Sequence, residues 1–170
     1  MMIAAEAPAS PPTRDELARI VCVVDDDVSL LRALQRLLGA GGFRVKTFAS
    51  AEDFLASAYP ATTGCLVLDV HLGGLSGFEL HERLVSAGWP IPVVFITARD
   101  DSATRERARC AGAVDYLRKP FDDESLIAGV NRALGHGRPP AWDQRRMPAA
   151  PTSDSGPWPR SLPSAASEEP

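Results

Sequence analysis

The sequence has few cysteines, and their number and spacing argue against two classes of protein. Among 170 residues there are three, Cys22, Cys65 and Cys110, and no pair has the C-x-x-C spacing of metal sites and redox motifs. Two of them stand inside apolar runs. We therefore expect small buried side chains in a reducing cytosol rather than a disulfide framework.

The sequence also lacks long apolar runs and an excess of positive charge. No run approaches the roughly 18 apolar residues of a membrane-spanning helix. The N-terminus has neither the basic start nor the long apolar stretch of a signal peptide. With 18 basic and 22 acidic residues the net charge is −4, which argues against a dedicated nucleic-acid binder. We expect a soluble cytoplasmic protein that binds neither membranes nor DNA directly.

Proline is scarce in the middle of the chain and concentrated at its ends. Of the 15 prolines, three lie before residue 13 and eight lie from Pro139 onward. Segments rich in Pro, Ala and Ser cannot bury enough apolar surface to offset the entropy of ordering them. The composition predicts a disordered extension at 1–18, a folded domain at 19–135 and a Pro-rich disordered tail at 136–170.

Between these ends, apolar strands alternate with helices. The hydrophobic fraction of 45% suffices for a packed core. Strands are expected near 19–24, 43–48, 65–69, 91–96 and 113–117. The helices that follow them are expected to end near Gly39, Tyr59, Gly88, Ala111 and Leu134, and the fourth helix is expected to begin at Ala98. Five β–α units with short connections predict an α/β fold, a parallel doubly wound sheet with helices on both faces.

Polar residues stand at the ends of four of these strands. Asp25 and Asp26 follow the first, Asp69 ends the third, Thr97 ends the fourth and Lys119 follows the fifth. Open α/β sheets bind ligands at the carboxyl ends of their strands. The sequence therefore predicts one acidic pocket at that edge.

The chemistry of this set suits phosphoryl transfer to a carboxylate. Clustered carboxylates repel one another, and Mg²⁺ relieves that repulsion through a few carboxylates plus water and phosphate oxygens. One carboxylate can attack phosphorus. A lysine ammonium, a threonine hydroxyl and the cation can then stabilise the phosphoryl oxygens. Each residue alone is more simply a helix cap, a turn residue or a solvated lysine, so the specificity lies in the ordered set.

The ordered motifs resemble the receiver domain of two-component response regulators over about residues 19–135. The motifs are Val24-Asp25-Asp26-Asp27, Leu68-Asp69, Ile96-Thr97-Ala98, Gly112-Ala113-Val114-Asp115-Tyr116 and Lys119-Pro120-Phe121. The resemblance implies a flavodoxin-like (CheY-like) fold with five strands in the order 2-1-3-4-5 and five helices.

The resemblance also implies a role for each residue of the pocket. Asp69 would be the phospho-acceptor. Lys119 would pair with Asp69 and afterwards with the phosphoryl group, and Thr97 would move to hydrogen-bond a phosphoryl oxygen. The implied Mg²⁺ ligands are Asp25, Asp26, Asp69 and the backbone carbonyl of His71.

Further features of the resemblance concern switching and the lifetime of the phosphoryl group. Tyr116 would be the switch aromatic, turning inward when Thr97 moves. The Lys119–Pro120 peptide bond is expected to be cis, which costs little before proline. His71 and Arg99 stand where the family tunes the access of hydrolytic water.

The loop after Asp69 departs from the family pattern. The usual Met-Pro is replaced by Leu72-Gly73, followed by Gly74. The apolar position is kept, and the rigidity of proline is lost.

The implied function is a single-domain response regulator, since no output domain is expected in the Pro-rich tail. It would take a phosphoryl group from a histidine kinase or histidine phosphotransfer protein. It would then signal to an unknown downstream protein through its fourth helix, fifth strand and fifth helix, and a phosphorylation-dependent homodimer is a further expectation. Such a protein is not a multiple-turnover enzyme.

Other functions stay open at this point. The protein could be a phosphorelay intermediate, a phosphate sink or an adaptor that works unphosphorylated. An enzyme of another class, a small haloacid-dehalogenase-like phosphohydrolase, is a further alternative, because Asp25-x-Asp27-Val28-Ser29 superficially matches its opening motif.

Overall fold

A computed structural model describes residues 20–135, and the disorder expected at 1–18 and 136–170 lies outside this range. Five strands alternate with five helices in this part of the chain. The strands are β1 Ile20–Val24, β2 Arg44–Phe48, β3 Cys65–Asp69, β4 Val93–Thr97 and β5 Asp115–Arg118. The helices are α1 Val28–Ala40, α2 Ala51–Ala56, α3 Gly77–Ser86, α4 Ser102–Cys110 and α5 Asp123–Ala133. None of these helices has the length and apolarity needed to cross a bilayer.

The strands form one parallel sheet in the order β2-β1-β3-β4-β5, which confirms the predicted fold. In the register of the central strands Val24 pairs with Leu68, and Asp69 pairs with Ile96. The carboxyl ends of β1, β3 and β4 therefore lie side by side. The residues that follow or end these strands share one edge of the sheet.

Helices cover both faces of the sheet, as the doubly wound pattern predicts. Residues of the central strands alternate between the two faces. Cys22 and Val24 of β1 pack with Phe54 of α2 and the apolar side of α3. Val21 and Val23 of the same strand pack with the apolar stripes of α1 and α5. Every residue of β1, β3 and β4 is buried, which is why these strands appear in the sequence as nearly continuous apolar runs.

Two helices are shorter than the sequence suggests. The second was expected to reach Tyr59, but α2 ends at Ala56 because Ser57 is extended and its hydroxyl donates to the carbonyl of Phe54 at 2.6 Å. The fourth was expected from Ala98, but α4 begins at Ser102, where Asp101 accepts a hydrogen bond from the backbone of Thr104. The segment between β4 and α4 is thereby left as a loop beside the functional edge.

The cysteines follow the prediction in two cases out of three. Cys22 and Cys65 are buried in β1 and β3, and burial raises the pKa of the Cys22 thiol to about 11. The expectation of a buried side chain is wrong for Cys110, which is exposed. It occupies the last turn of α4, a helix whose buried residue is Ala108.

Candidate functional site

Three carboxylates meet at the carboxyl edge of the sheet. Oxygens of Asp25, Asp26 and Asp69 lie within 4.8 Å of one another. Asp25 is fully buried and Asp69 is 4% exposed, whereas Asp26 faces solvent. The cluster therefore has two buried members and one on its open side.

The three aspartates that follow β1, Asp25-Asp26-Asp27, have different structural roles. The backbone N–H of Asp25 donates to the carbonyl of Phe48, and its Oδ1 accepts from the backbone N–H of Asp27 at 2.8 Å. The Asp27 carboxylate turns away and caps α1, accepting from the backbone N–H groups of Ser29 and Leu30. Asp26 is left at the mouth of the pocket.

Lys119 supplies a positive charge to this cluster. Its Nζ lies 2.6 Å from Asp25 Oδ2 and 3.6 Å from Asp69 Oδ1. Its backbone N–H donates to the carbonyl of Thr97 at 2.7 Å, and the Lys119–Pro120 peptide bond is cis. The sequence interpretation paired the lysine with Asp69. In the structure the lysine is within ion-pair distance of Asp69, but its hydrogen bond goes to Asp25.

A second group of contacts surrounds the buried hydroxyl of Thr97. The Thr97 Oγ1 donates to the carbonyl of Arg99 at 2.9 Å and accepts from the Arg99 N–H at 3.1 Å. The Tyr116 hydroxyl donates to the same carbonyl at 3.3 Å. His71 Nδ1 lies 3.2 Å from Thr97 Oγ1. The main chain of Arg99 thus links Thr97 to Tyr116. Because any residue has these backbone groups, the identity of Arg99 in the sequence could not predict this role.

The loop that follows Asp69 packs closely against it. A Cβ atom at Gly77 would lie 2.2 Å from the backbone oxygen of Asp69, so only glycine fits at the start of α3. Ser76 and Glu79 form a capping box at the same helix end. Across the loop, Glu52 Oε1 accepts from the backbone N–H of Leu75 at 3.2 Å. No motif or spacing in the sequence assigned Glu52 to this region.

A family model supports the interpretation of this edge. The model of the response regulator receiver domain matches residues 21–131, more than half of the chain. The chain belongs to the response regulator receiver family. Receiver domains are phosphoryl-accepting regulators, and the match covers Asp25, Asp69, Thr97 and Lys119 together.

Curated relatives and solved structures agree with this assignment. Nodulation protein W of Bradyrhizobium diazoefficiens is 44% identical over 119 residues, 70% of this chain and 52% of that protein. Transcriptional regulatory protein TdiR of Thauera aromatica is 38% identical over 126 residues, 74% of this chain and 56% of that protein. A receiver protein of Burkholderia phymatum is 46% identical with a TM-score of 0.60, covering 71% of this chain and 98% of that one. The chain spans about half the length of the curated relatives it matches.

The receiver pocket, formed by Asp25, Asp26, Asp69 and Lys119, shifts the pKa values of Asp69 and Lys119. Burial raises the pKa of Asp69, and the charge of Asp25 raises it further, while Lys119 and the backbone of His71 oppose both effects. Burial alone would lower the pKa of Lys119. The hydrogen bond to Asp25 and the charges of Asp69 and Asp25 outweigh that effect, so the pKa of Lys119 is raised. The lysine is therefore held in its charged form beside the carboxylates.

The donors of the receiver pocket fit a divalent cation. Asp69 Oδ1 is buried and has no hydrogen-bond partner among the described residues, an arrangement that costs free energy unless a ligand occupies the site. Three clustered carboxylates with one solvent-facing member offer the hard oxygen ligands that Mg²⁺ prefers. The donor set is therefore consistent with the predicted cofactor.

Asp69→Asn is expected to raise the melting temperature of the metal-free domain at pH 7. Because the folded-state pKa of Asp69 is raised, the folded protein binds this proton more tightly than the unfolded chain does. The ionised carboxylate consequently destabilises the fold above the raised pKa, and this destabilisation disappears as the pH falls to the pKa of aspartate in the unfolded chain, about 3.9.

Thermal unfolding in a chelator, followed by circular dichroism from pH 7 down to pH 4, measures this effect. The advantage of the variant should shrink as the pH falls. Asp27→Asn is the matched control, because asparagine caps helices as well as aspartate does. An Asp69→Asn variant no more stable than wild type at pH 7 would contradict the electrostatic account.

Proposed function

We propose that this receiver domain accepts a phosphoryl group on Asp69 from the phospho-histidine of a histidine kinase or phosphotransfer protein. The observation that carries the proposal is the contrast between its two buried carboxylates. Asp25 uses one oxygen for the Asp27 N–H and the other for Lys119. Asp69 Oδ1 accepts no hydrogen bond from the described residues. The Asp69 carboxylate therefore keeps an oxygen that no hydrogen bond occupies, whereas both oxygens of Asp25 are occupied.

In the proposed transfer, a carboxylate oxygen of Asp69 forms a bond to phosphorus as the bond from phosphorus to the histidine nitrogen breaks. The imidazole leaves with the bonding electron pair and takes up a proton. Lys119 is already 3.6 Å from Asp69, close enough to pair with the oxygens of an added phosphoryl group. The Mg²⁺ ligands would be Asp25, Asp26, Asp69 and the His71 carbonyl, and the cation would supply charge neutralisation.

The contacts of Thr97 suggest how the phosphorylated state is signalled. In the proposal, the Thr97 hydroxyl exchanges the Arg99 carbonyl for a phosphoryl oxygen. Because Tyr116 donates to the same carbonyl, loss of the Thr97 bond changes what holds this loop to β5. The surface formed by α4, β5 and α5 then changes, and a downstream protein or a second copy binds it.

The same contrast between carboxylates disfavours a haloacid-dehalogenase-like phosphohydrolase. That alternative needs Asp25 as the nucleophile, and both oxygens of Asp25 are engaged. Whether the receiver acts alone, as a relay intermediate or as a phosphate sink is a separate matter. The curated relatives are about twice as long as the matched region, and TdiR is described as a transcriptional regulatory protein. Stand-alone signalling is our proposal for this chain.

Incubation with acetyl phosphate and Mg²⁺ tests the proposal, with intact-protein mass spectrometry as the readout. Wild type and Asp27→Asn should gain one phosphoryl group, and chelation of the metal should prevent the gain. Asp69→Asn should remain unlabelled under the same conditions. Equal labelling of Asp69→Asn and wild type would overturn the assignment.

A further inference from the structure

The loop between β3 and α3 contains two consecutive glycines, Gly73 and Gly74, and is held by a side chain from another element. Glu52 lies in the first turn of α2, 23 residues before Leu75 in sequence. Its Oε1 accepts a hydrogen bond from the Leu75 N–H at 3.2 Å. The contact joins α2 directly to the segment that leaves the phospho-acceptor strand.

Gly74 makes this contact sterically feasible. A Cβ atom at Gly74 would lie 3.0 Å from Glu52 Oε1 and 3.5 Å from Glu52 Oε2, so any larger residue would push on the carboxylate. A Cβ atom at Gly73 would meet Asp26 Oδ2 at 3.9 Å, an ordinary contact. The loop therefore passes between the Glu52 carboxylate on one side and the acidic cluster on the other.

The two ends of the loop are fixed by the sheet and by α3. The Val70 N–H donates to the carbonyl of Ile96, and the Gly77 N–H donates to the carbonyl of Val70. Among the described residues, the backbone of 72–75 forms one hydrogen bond to another element, and this bond is the contact with Glu52. Without it, hydrogen bonds would hold this loop only at its two ends.

We propose that Glu52 is a positioning residue of this site. Its carboxylate fixes the glycine-containing loop and, through it, the backbone of His71 beside Asp69. It thereby restrains a segment to which Gly73 and Gly74 give extra conformational freedom. This inference rests on the proposed function for its consequence: the loop must be ordered for Mg²⁺ to bind well and for Asp69 to be phosphorylated.

Hydrogen exchange of the Leu75 amide, measured by NMR on the full chain without metal, tests the contact itself. Glu52→Ala should speed exchange at Leu75 by on the order of 10-fold, the effect of losing a hydrogen bond to a charged acceptor. Glu52→Gln keeps an acceptor oxygen and should restore most of the protection. Asp53→Ala removes the same charge from the next position of α2 and should leave the Leu75 amide unchanged.

Calorimetric titration with Mg²⁺ and the rate of labelling by acetyl phosphate test the consequence. Glu52→Ala should weaken Mg²⁺ binding by about 5-fold or more and slow labelling, whereas Glu52→Gln and Asp53→Ala should stay within about 2-fold of wild type. Gly74→Ala should weaken Mg²⁺ binding less than Glu52→Ala does, because its Cβ displaces the Glu52 carboxylate by only a few tenths of an ångström.

The outcomes separate this inference from the function on which it rests. If wild type is labelled and Glu52→Ala matches Asp53→Ala in exchange, Mg²⁺ affinity and labelling rate, the positioning role is wrong. The same holds if Glu52→Gln behaves like Glu52→Ala, because charge rather than the hydrogen bond would then be responsible. If wild type is not labelled at all, the proposed function fails, and the exchange data still decide the contact.

Discussion

Gly77→Ala is expected to lower the free energy of unfolding by about 3 kcal/mol or more, the upper range for overpacking in a close-packed interior. The added Cβ would lie 2.2 Å from the backbone oxygen of Asp69 and 3.1 Å from Val70 Cα. These obstacles belong to the main chain, which cannot rotate away as a side chain can. Relief requires either α3 or the end of β3 to shift, and both position the acidic cluster.

Urea unfolding monitored by circular dichroism measures this loss. Gly39→Ala is the matched control, because Gly39 lies in α1, is exposed, and an added Cβ there would meet nothing within 4 Å outside its own helix. That substitution should stabilise the domain by about 0.5–1 kcal/mol through helix propensity. A Gly77→Ala variant as stable as Gly39→Ala would show that α3 does not pack against Asp69 as described.

Lys119→Ala is expected to slow the labelling of Asp69 by about 10²-fold, the scale of losing one electrostatic donor to a transferring group. The variant removes the cation that lies 2.6 Å from Asp25 and 3.6 Å from Asp69. Repulsion among the three carboxylates then goes unopposed, and the pKa of Asp69 rises further because Lys119 no longer lowers it. When the pKa of Asp69 is higher, a smaller fraction of its carboxyl group is ionised near neutral pH, and only the ionised form is a good nucleophile.

Labelling rates with acetyl phosphate at several pH values measure both consequences. Lys46→Ala is the matched control, since Lys46 lies on β2 over the ring of Tyr59 and, within residues 20–135, forms no ion pair with the three carboxylates. Its rate should equal that of wild type. The labelling of Lys119→Ala should also depend on pH over a higher range than that of wild type. An unchanged rate in Lys119→Ala would remove the lysine from the mechanism.

The sheet architecture and the residues of the pocket could be predicted from the sequence for a physical reason. Parallel strands buried on both faces appear as continuous apolar runs, and each run ends where a polar residue begins. Asp69 and Thr97 could be assigned to one edge because the ends of such strands adjoin. The ends of the helices were harder to predict. For example, α2 ends before Ser57 because of a local side-chain hydrogen bond, and the spacing of apolar residues does not change there.

The partners within the pocket could not be predicted in the same way. Lys119 lies within ion-pair distance of Asp69, as expected, but its closer contact with Asp25 depends on the register of β5 against β4 and on the loop that follows. Arg99 contributes through its main chain, which every residue type possesses. Glu52 contacts a backbone N–H across 23 residues, and no spacing rule links two such positions.

The central claim is that Asp69, and not Asp25, receives the phosphoryl group, and mapping the modified residue in wild-type protein tests it most directly. After labelling with acetyl phosphate and Mg²⁺, borohydride converts the phosphorylated aspartate to homoserine, which survives digestion. Trypsin separates the candidates, because Arg32 and Lys46 lie between Asp25 and Asp69. Homoserine is expected at position 69 and unmodified aspartate at 25, 26 and 27. Homoserine at position 25 would contradict this claim.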